Sequence, residues 1–357
     1  MSWTIHALEN GLGAHADAWD RLNANLFDAN PYFDSRFVDA LLRHFAGRGE
    51  RLCVHRASAG IDAMLIVTVS GLGRWSLFAP AQSQIAPLLV QDARALSSLM
   101  GKLPGPVFSL EMPCQEPQRN PLAARPAGMP MLAMDHVTTM AVRIDGPFEG
   151  YWKARSASLA KAIARRLRRV RDDGHAITLV HRDDSGAMRA ATIRFGEMES
   201  QGWKGRGGTA IHDGNVQGAF YAQLMASFSM RRQASVYELY FGEVLVAMQL
   251  CIVSDSMLVL LKTTYNEQYA HYAPGRLLLH QLLQREFARR RVRTVEFYTN
   301  ADRDQLSWAT DQRMIRHFML FRNSLARTGY CWLHNGWGRF KRGLTQAGSA
   351  NRPGRQS

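Results

Sequence analysis

The sequence predicts a mixed α/β fold, in which helices cover a sheet that has both antiparallel and parallel strands. Three apolar segments, 236–241, 244–253 and 257–264, are separated by only two and three residues. Such short separators are typical of antiparallel hairpins. A helix then begins at Pro274, and a further strand follows at 292–299. A strand, a helix and another strand in this order usually place the two strands side by side and parallel.

The helix after the third strand is the clearest element of this unit. Pro274 and Gly275 open it, and leucines at 278, 279, 282 and 283 with Phe287 share one helical face. Proline is favoured in the first turn of a helix, where its missing N–H costs nothing. The N–H groups of that turn have no partner inside the helix, so they form a site for anions, most often phosphate.

The first half of the chain repeats this order of elements less distinctly. Short strands, a helix and another strand are predicted at 52–56, 63–69, 75–78, 96–103 and 107–112. A proline-rich stretch at 115–130 then reads as a linker or crossing loop. At 357 residues two domains are expected. We place them at residues 1–148 and 149–342, and we expect a disordered tail at 343–357.

Composition and charge exclude several classes of protein. Hydrophobic residues make up 46% of the chain, as in an ordinary folded protein. No signal peptide or membrane-spanning run is visible, and four widely spaced cysteines favour a reducing cytoplasm over disulfides or a metal site. We interpret all four cysteines as buried. The net charge of +14 predicts anionic partners without choosing among coenzyme, carrier protein, nucleic acid and lipid.

Two further segments suggest contacts with ligands. Residues 156–173 predict a helix with one apolar stripe and many arginines, which serve either as a solvated face or as an anion-binding face. Five glycines lie between Gly202 and Gly214, together with Trp203 and Lys204. A loop of this composition favours binding over simple connection.

The second half resembles the Gcn5-related N-acetyltransferase (GNAT) superfamily. The resemblance lies in the segment Glu199-Ser200 to Trp203-Lys204, in the tyrosine-bearing segment before Pro274, and in the strand that ends at Tyr298. Within that superfamily the chain is similar to bacterial acetyltransferases associated with cellulose and exopolysaccharide synthesis, relatives of the Fem aminoacyltransferases. The resemblance implies tandem acetyltransferase-like domains, of which the second keeps the pattern of the donor site and the first is degenerate.

The resemblance also implies an N-acyltransferase that takes its acyl group from acyl-CoA, such as acetyl-CoA, or from acyl carrier protein. The acceptor would be an amine or hydroxyl of a small molecule or saccharide. Such an enzyme needs no metal, DNA or membrane span. We expect only the second half to be active.

Candidate site residues follow from these segments. We assign the catalytic roles to Glu199 as the base, Asp302 as a second candidate base, and Tyr265 as the proton donor to the leaving thiolate. As plain structural residues, Glu199 would end a helix in solvent, Asp302 would cap a turn, and Tyr265 would pack at an interface. The remaining candidates divide into a donor-binding group, Pro274, Gly275, Arg276 and Leu277, and an acceptor-binding group, Trp203, Lys204, Tyr298 and Asn300.

Two other functions remain open from the sequence. One is aminoacyl transfer from charged tRNA, as in the Fem proteins, which the positive charge favours. The other is a non-enzymatic basic module that binds nucleic acid or a membrane. A module of that kind usually interleaves aromatic and basic residues, whereas here the aromatics lie in strands and in the glycine-rich loop.

Overall fold

One continuous sheet runs through both halves of the chain. The computed structural model describes residues 2–8, 11–124, 126–202, 211–212 and 214–333, so Trp203, Lys204 and the expected tail lie outside the described residues. The strands are β1 (Ser2–Ala7), β2 (Arg51–Ala57), β3 (Gly60–Gly71), β4 (Arg74–Leu77), β5 (Leu89–Val90), β6 (Ser109–Gln115), β7 (Met131–Arg143), β8 (Ile177–Arg182), β9 (Ala234–Phe241), β10 (Val244–Val253), β11 (Met257–Tyr265), β12 (Thr294–Glu296) and β13 (Asp311–Phe321).

Helices cover both faces of this sheet. They are α1 (Ala16–Phe27), α2 (Ser35–Phe45), α3 (Ala95–Leu99), α4 (Phe148–Lys153), α5 (Ala157–Asp172), α6 (Ser185–Gln201), α7 (Val216–Ser229), α8 (Pro274–Arg289) and α9 (Arg303–Leu306). Side-chain caps fix several starts, for example Ser156 Oγ, which accepts the Leu159 N–H at 3.2 Å at the start of α5. None of the helices in the described ranges is long and apolar enough to cross a membrane.

The two halves have the same order of elements and exchange their last strands. From β1 in the first half and from β8 in the second, the order is a strand and two helices, three antiparallel strands, and then a further helix and a parallel strand. Helices α4 and α5, which precede β8, and the short strand β5 have no counterpart in the other half. The sheet order is β1-β2-β3-β4-β6-β13-β7-β12-β11-β10-β9-β8. Strand β7, which ends the first half, therefore pairs with β12 of the second, and β13 pairs with β6 of the first. Neither half completes its sheet without the other.

The internal symmetry extends to local backbone geometry. Cys114 lies at the end of β6 and Tyr298 lies just after β12, and both have positive φ, at 46° and 50°. This conformation is uncommon for residues other than glycine. Two equivalent strands therefore end in the same unusual way, which supports a common origin of the halves in one structural unit. The domain boundary at residues 148–149 stays a prediction; it falls at the start of α4.

A shared core joins the halves on one face of the sheet. Helices α1 and α2 of the first half and α6 and α7 of the second pack into a single apolar cluster. Phe220 is fully buried at its centre, with ring centroids 5.9 Å from Phe37 and 5.3 Å from Phe45. The opposite face carries two separate clusters, one under α3 and one under α4, α5 and α8.

The predicted elements are confirmed in type, with some differences in extent. The antiparallel meander, the parallel last strand, the basic helix and the helix that starts at Pro274 are all present. The strand predicted at 292–299 is shorter, Thr294–Glu296, because the backbone turns at Tyr298. The sequence did not predict β1, β5, β13, α4, α7 or α9. Cys53 and Cys251 are buried, but the expectation is wrong for Cys114 and Cys331, which are half-buried.

The shared core predicts that the described chain unfolds as one unit. Phe220→Ala should lower the free energy of unfolding by about 3–5 kcal/mol, because it leaves a cavity between the halves. Calorimetry should show one transition that moves as a whole. Leu72→Ala, at a side chain that is 93% exposed, is the control and should change stability by less than about 0.5 kcal/mol. Two transitions, only one of them shifted, would contradict a shared core.

A second prediction concerns His280, which lies on α8 under the aromatic rings of α4. Its ring centroid is 4.7 Å from that of Trp152 and 5.4 Å from that of Phe148, and Nδ1 is buried with no hydrogen-bond partner in the described structure. Burial lowers the pKa of His280 from 6.5 to about 4. Between these values the unfolded chain binds a proton that the native chain does not. The stability that neutral His280 provides is therefore complete above pH 6.5 and is lost as the pH falls towards 4.

Denaturant unfolding of His280→Leu measures this contribution. Between about pH 7.5 and about pH 5, the stability of the variant should fall by about 2 kcal/mol less than that of the parent protein. His271→Leu, at an exposed histidine of the preceding segment, should keep the parent's pH dependence. An unchanged pH dependence in His280→Leu would show that this ring binds its proton equally well in the native and the unfolded chain.

Candidate functional site

A cleft opens where the parallel strands β11 and β12 separate. The two strands pair only over Met257–Thr294, Leu258–Val295 and Val259–Glu296. Beyond Glu296 the chain follows β7 instead, since the Phe297 N–H donates to Met140 O at 3.3 Å. The backbone edge of β11 from Leu260 onward therefore faces a gap. This gap is a cleft of about 600 Å³, a volume typical of small-molecule sites.

At the equivalent position of the first half, the described chain itself occupies the space that the cleft takes in the second half. Strand β4 also runs parallel to β6, but the segment after it crosses the end of β6, where the Ala86 N–H donates to Cys114 O at 2.9 Å. Ile85 and Ala86 are buried there. The equivalent helix α3 has five residues, compared with 16 in α8. The first half therefore supports the sheet without opening it.

Helix α8 begins at one end of the cleft. Pro274 occupies its first turn, and Ala273 before it has a left-handed conformation with φ of 53°. The Arg276 and Leu277 N–H groups both donate to Ala273 O, at 3.0 and 3.3 Å, so this start is tighter than an open helix terminus. Gly275 leaves room: a Cβ atom there would meet only Thr263 Cγ2, at 3.9 Å. No side chain at position 275 therefore blocks a ligand from approaching the helix backbone at this end of the cleft.

Positive charge is concentrated at this end. Burial, and then the charges of Arg276 and Arg165, lower the pKa of Arg166 on α5. Arg276 pairs with Asp304 of α9 at 2.7 Å, while its Nε–H is buried with no hydrogen-bond partner in the described ranges. A buried donor and crowded guanidinium groups are stabilised by an added anion. The first turn of α8 and the arginines of α5 therefore both favour an anion at this end of the cleft.

A β-bulge in β11 sets the other end of the cleft. Cys251 of β10 lies opposite Leu260 and Leu250 lies opposite Lys262, so Leu261 is the extra residue. A bulge places successive side chains on the same side of a strand. Leu261 consequently packs against the shared core, and Lys262 also points towards it, where it reaches α6. Bulges of this kind are frequent beside active sites.

Glu199, near the end of α6, forms an ion pair with Lys262. Its Oε2 atom lies 3.1 Å from Lys262 Nζ and accepts the Ile211 N–H at 2.8 Å, and the residue is 1% exposed. Two glycines make this possible. A Cβ on Gly196 or Gly218 would come within 2.8 Å of Ile211 O or 2.0 Å of His212 O. The 211–212 segment can therefore press against both helices and deliver its N–H to the carboxylate.

The middle of the cleft is formed by polar groups of the strands and by apolar side chains. Gln249 Nε2 donates to Lys262 O at 2.9 Å, and its Oε1 accepts the Thr263 hydroxyl. These bonds hold the bulge in place. Leu260, Leu279, Phe297 and Trp308 provide the apolar wall. An elongated ligand with a charged end and an apolar stem fits this lining.

The structure brings together some of the candidate site residues. Glu199, Tyr265, Pro274, Gly275 and Arg276 all line the cleft. Leu277 does not, because its side chain is fully buried in the core under α8. As noted, Trp203 and Lys204 lie outside the described residues.

Three other candidates lie away from the cleft lining. Tyr298 is in the shared core on the far face, and its hydroxyl accepts the Asn30 Nδ2–H at 2.9 Å. Asn300 is exposed. Asp302 is the N-cap of α9, where it accepts the Gln305 N–H at 2.8 Å in a capping box. This is the capping role that the sequence left open for Asp302, and its catalytic role stays a prediction.

Sequence reasoning missed Gln249, Lys262, Asp304 and Trp308. Two of these residues stand out in the amino-acid sequence. Gln249 interrupts an otherwise apolar strand, and Lys262 is the first charged residue after the apolar run of β11. A polar residue inside a buried strand needs a partner, which marks such positions for attention. Asp304 and Trp308 gave no comparable signal, because Asp304 lies in a short helix of ordinary composition and Trp308 follows that helix.

Known protein families and structures are consistent with this geometry. A family model described as an acetyltransferase (GNAT) domain matches residues 157–306, from α5 to α9, which includes every residue that lines the cleft except Trp308. A search of curated proteins gives no match.

Three solved structures are similar over most of the chain. A FemX structure has a TM-score of 0.57 at 8% identity, with coverage of 88% of this chain and 96% of that one. The C-terminal domain of a protein named as a lysylphosphatidylglycerol synthetase, from Agrobacterium fabrum, has a TM-score of 0.52 at 11% identity, covering 88% and 96%. A Bacteroides thetaiotaomicron protein of unknown function has a TM-score of 0.53 at 9% identity, covering 90% and 99%. At these identities the likeness shows the fold alone.

The family match indicates the same type of fold and the same class of reaction that the sequence predicts. Strands β8 to β12, the bulge in β11 and the point where β11 and β12 separate all fall inside the matched range. The match also supports an acyltransferase enzyme, as the sequence predicts. Over residues 157–306 the chain is similar to the acetyltransferase (GNAT) domain family.

Proposed function

We propose that the protein transfers an acyl group from acyl-CoA, or from an acyl carrier protein, to an amine or hydroxyl of a small-molecule or saccharide acceptor. The observation that carries this proposal is the gap between β11 and β12, which has α8 at one end and Glu199 at the other. Acyl-CoA and the prosthetic group of a carrier protein share a phosphate end and a long, largely apolar arm. Both features match the cleft.

The donor enters with its phosphates at the start of α8. The Gly275 N–H, the buried Nε–H of Arg276 and the charge of Arg166 bind them. The arm follows the exposed edge of β11, where backbone groups accept and donate hydrogen bonds as an added strand would. The apolar wall excludes water from the thioester.

The acceptor approaches from the side of α6. Its nitrogen or oxygen attacks the thioester carbonyl carbon, the carbon–sulfur bond breaks, and the acyl group remains on the acceptor. Glu199 takes the acceptor's proton, directly or through water, and Lys262 holds the carboxylate in place at 3.1 Å. Tyr265, which is 38% exposed at the end of β11, protonates the departing thiolate.

One alternative has a specific observation in its favour. The fold likeness to FemX covers 96% of that chain and includes both halves, so an aminoacyl-tRNA donor is the second candidate. A polyphosphate or a tRNA end would meet the same cationic groups at α8. The acyl carrier protein, the cytoplasmic location and the link to exopolysaccharide synthesis stay predictions from the sequence.

Donor binding is tested by thermal unfolding with acetyl-CoA and longer acyl-CoAs. A donor present at 100 times its Kd should stabilise the protein by about 2.7 kcal/mol. Gly275→Asp should abolish this shift, because it adds a negative charge where the phosphates would bind, at a position where an added Cβ meets only Thr263 Cγ2, at 3.9 Å. Gly150→Asp, at an exposed glycine of α4, is the matched control and should keep the shift.

The outcomes separate the candidates. Normal coenzyme affinity in Gly275→Asp would place the donor elsewhere. If no coenzyme shifts the parent protein but aminoacyl-tRNA does, the Fem-like alternative replaces the proposal.

Catalytic roles are tested by thiol release from acetyl-CoA with an acceptor found by screening amines and sugars. Glu199→Gln should lower kcat by about 10²–10⁴-fold while the coenzyme-induced thermal shift remains. Tyr265→Phe should lower kcat without changing the KM for the donor. Tyr269→Phe, at the next tyrosine of the chain, should leave both constants unchanged. Full activity in Glu199→Gln would remove Glu199 from the mechanism.

A further inference from the structure

Three side chains that can bind a metal converge at the centre of the sheet. Cys114 lies near the end of β6, His136 lies on β7 and His317 lies on β13, and the ligand atoms of all three lie within 4.8 Å of one another. Ligand atoms of a tetrahedral zinc site are about 3.5 Å apart, given metal–ligand distances of about 2.0–2.3 Å. Side-chain rotations that move these ligand atoms by about 1 Å would bring them to the spacing of a zinc site. His136 is exposed and able to move in this way.

The central strands build this cluster together. Strand β13 pairs with β6 on one side and β7 on the other, and its register shifts next to His317 on both sides. The Cys114 N–H donates to His317 Nδ1 at 2.9 Å, although the two residues are 203 positions apart in sequence. The rings of His136 and His317 lie 4.1 Å apart. Cys114 has φ of 46°, a strained conformation for cysteine that tertiary contacts must hold.

The donor set selects the kind of ion. One thiolate and two imidazoles form a borderline-soft set, which suits zinc, cobalt, nickel or copper and disfavours magnesium and calcium. Three protein ligands leave a fourth coordination position open. The exposed His136 gives an ion a path to the cluster.

The hydrogen bond between Cys114 and His317 limits the affinity of this cluster for a metal ion. A metal bound at His317 Nδ1 must replace the hydrogen bond from the Cys114 N–H. Leaving a partly buried N–H without a partner costs about one order of magnitude in affinity. The ion pair next to the cluster in sequence, Arg316 with Asp135 at 2.8 Å, is exposed and neutral as a pair, so it neither attracts nor repels the ion strongly.

We propose that Cys114, His136 and His317 bind one divalent transition-metal ion of the zinc class, which ties β6, β7 and β13 together. These are the strands at which the two halves exchange. An ion there stabilises the exchanged arrangement, because its ligands come together only when both halves are folded. The site is separate from the cleft and does not depend on the proposed acyl transfer.

Cobalt titration of protein without a purification tag tests the site. We expect one Co²⁺ per chain and a thiolate-to-cobalt charge-transfer band, which Zn²⁺ should abolish by displacing the cobalt. Cys114→Ser should remove the band. His136→Ala, at an exposed side chain where folding is not at risk, should weaken binding at least tenfold, while the exposed His271→Ala should bind as the parent does.

Alkylation followed by mass spectrometry gives an independent reading. Zn²⁺ should slow the modification of Cys114 and leave Cys331, which is also half-buried, unaffected. Absence of the charge-transfer band, its survival in Cys114→Ser, or equal protection of both cysteines would overturn the proposal.

Discussion

The early separation of β11 from β12 is the constraint on which the rest of the site depends. Parallel strands normally continue to pair, since each unpaired backbone group in a buried position costs free energy. Here pairing stops after Glu296 for an identifiable reason. Glu296 is tied to Arg313 of β13, and Tyr298 turns the backbone and buries its ring on the far face. The chain is thereby held against β7 and cannot close the gap.

The exchanged strands explain why this opening is stable. Because β7 and β13 lie at the centre of the sheet and pair with both halves, β12 is supported along its other edge by β7. The shared core under α2 and α7 adds a second connection. A single half would have to hold a splayed pair of strands at its own edge. The first half, in which the chain crosses and seals the equivalent position, serves as the supporting partner.

The two faces of the sheet contribute different chemistry to one cleft. Helices α5 and α8 bring positive charge and a helix start from one face, and α6 brings a carboxylate from the other. The bulge in β11 connects them, because it turns Lys262 to the α6 side while Thr263 remains beside Gly275. The cationic groups at α8 and the carboxyl group of Glu199 therefore reach the cleft from opposite faces of the sheet. This arrangement suits a reaction in which two substrates meet at one carbonyl group.

The sequence by itself determined the features that depend on neighbouring residues. Turn lengths predicted the meander, Pro274 predicted the start of α8, and the apolar stripe predicted α5, because backbone sterics and local hydrogen bonding decide each of these. Glu199, Tyr265 and Gly275, which the sequence suggested as site residues, line one cleft, and their roles stay predictions. Tertiary structure decided the remainder. Contacts between distant segments decide three further points. They determine that Asp302 caps a helix, that Tyr298 faces the core, and that Arg276 pairs with Asp304. The bulge at Leu261 and the meeting of Cys114 with His317 arise from strand register, which is set by pairing partners far away in the sequence and leaves no local pattern.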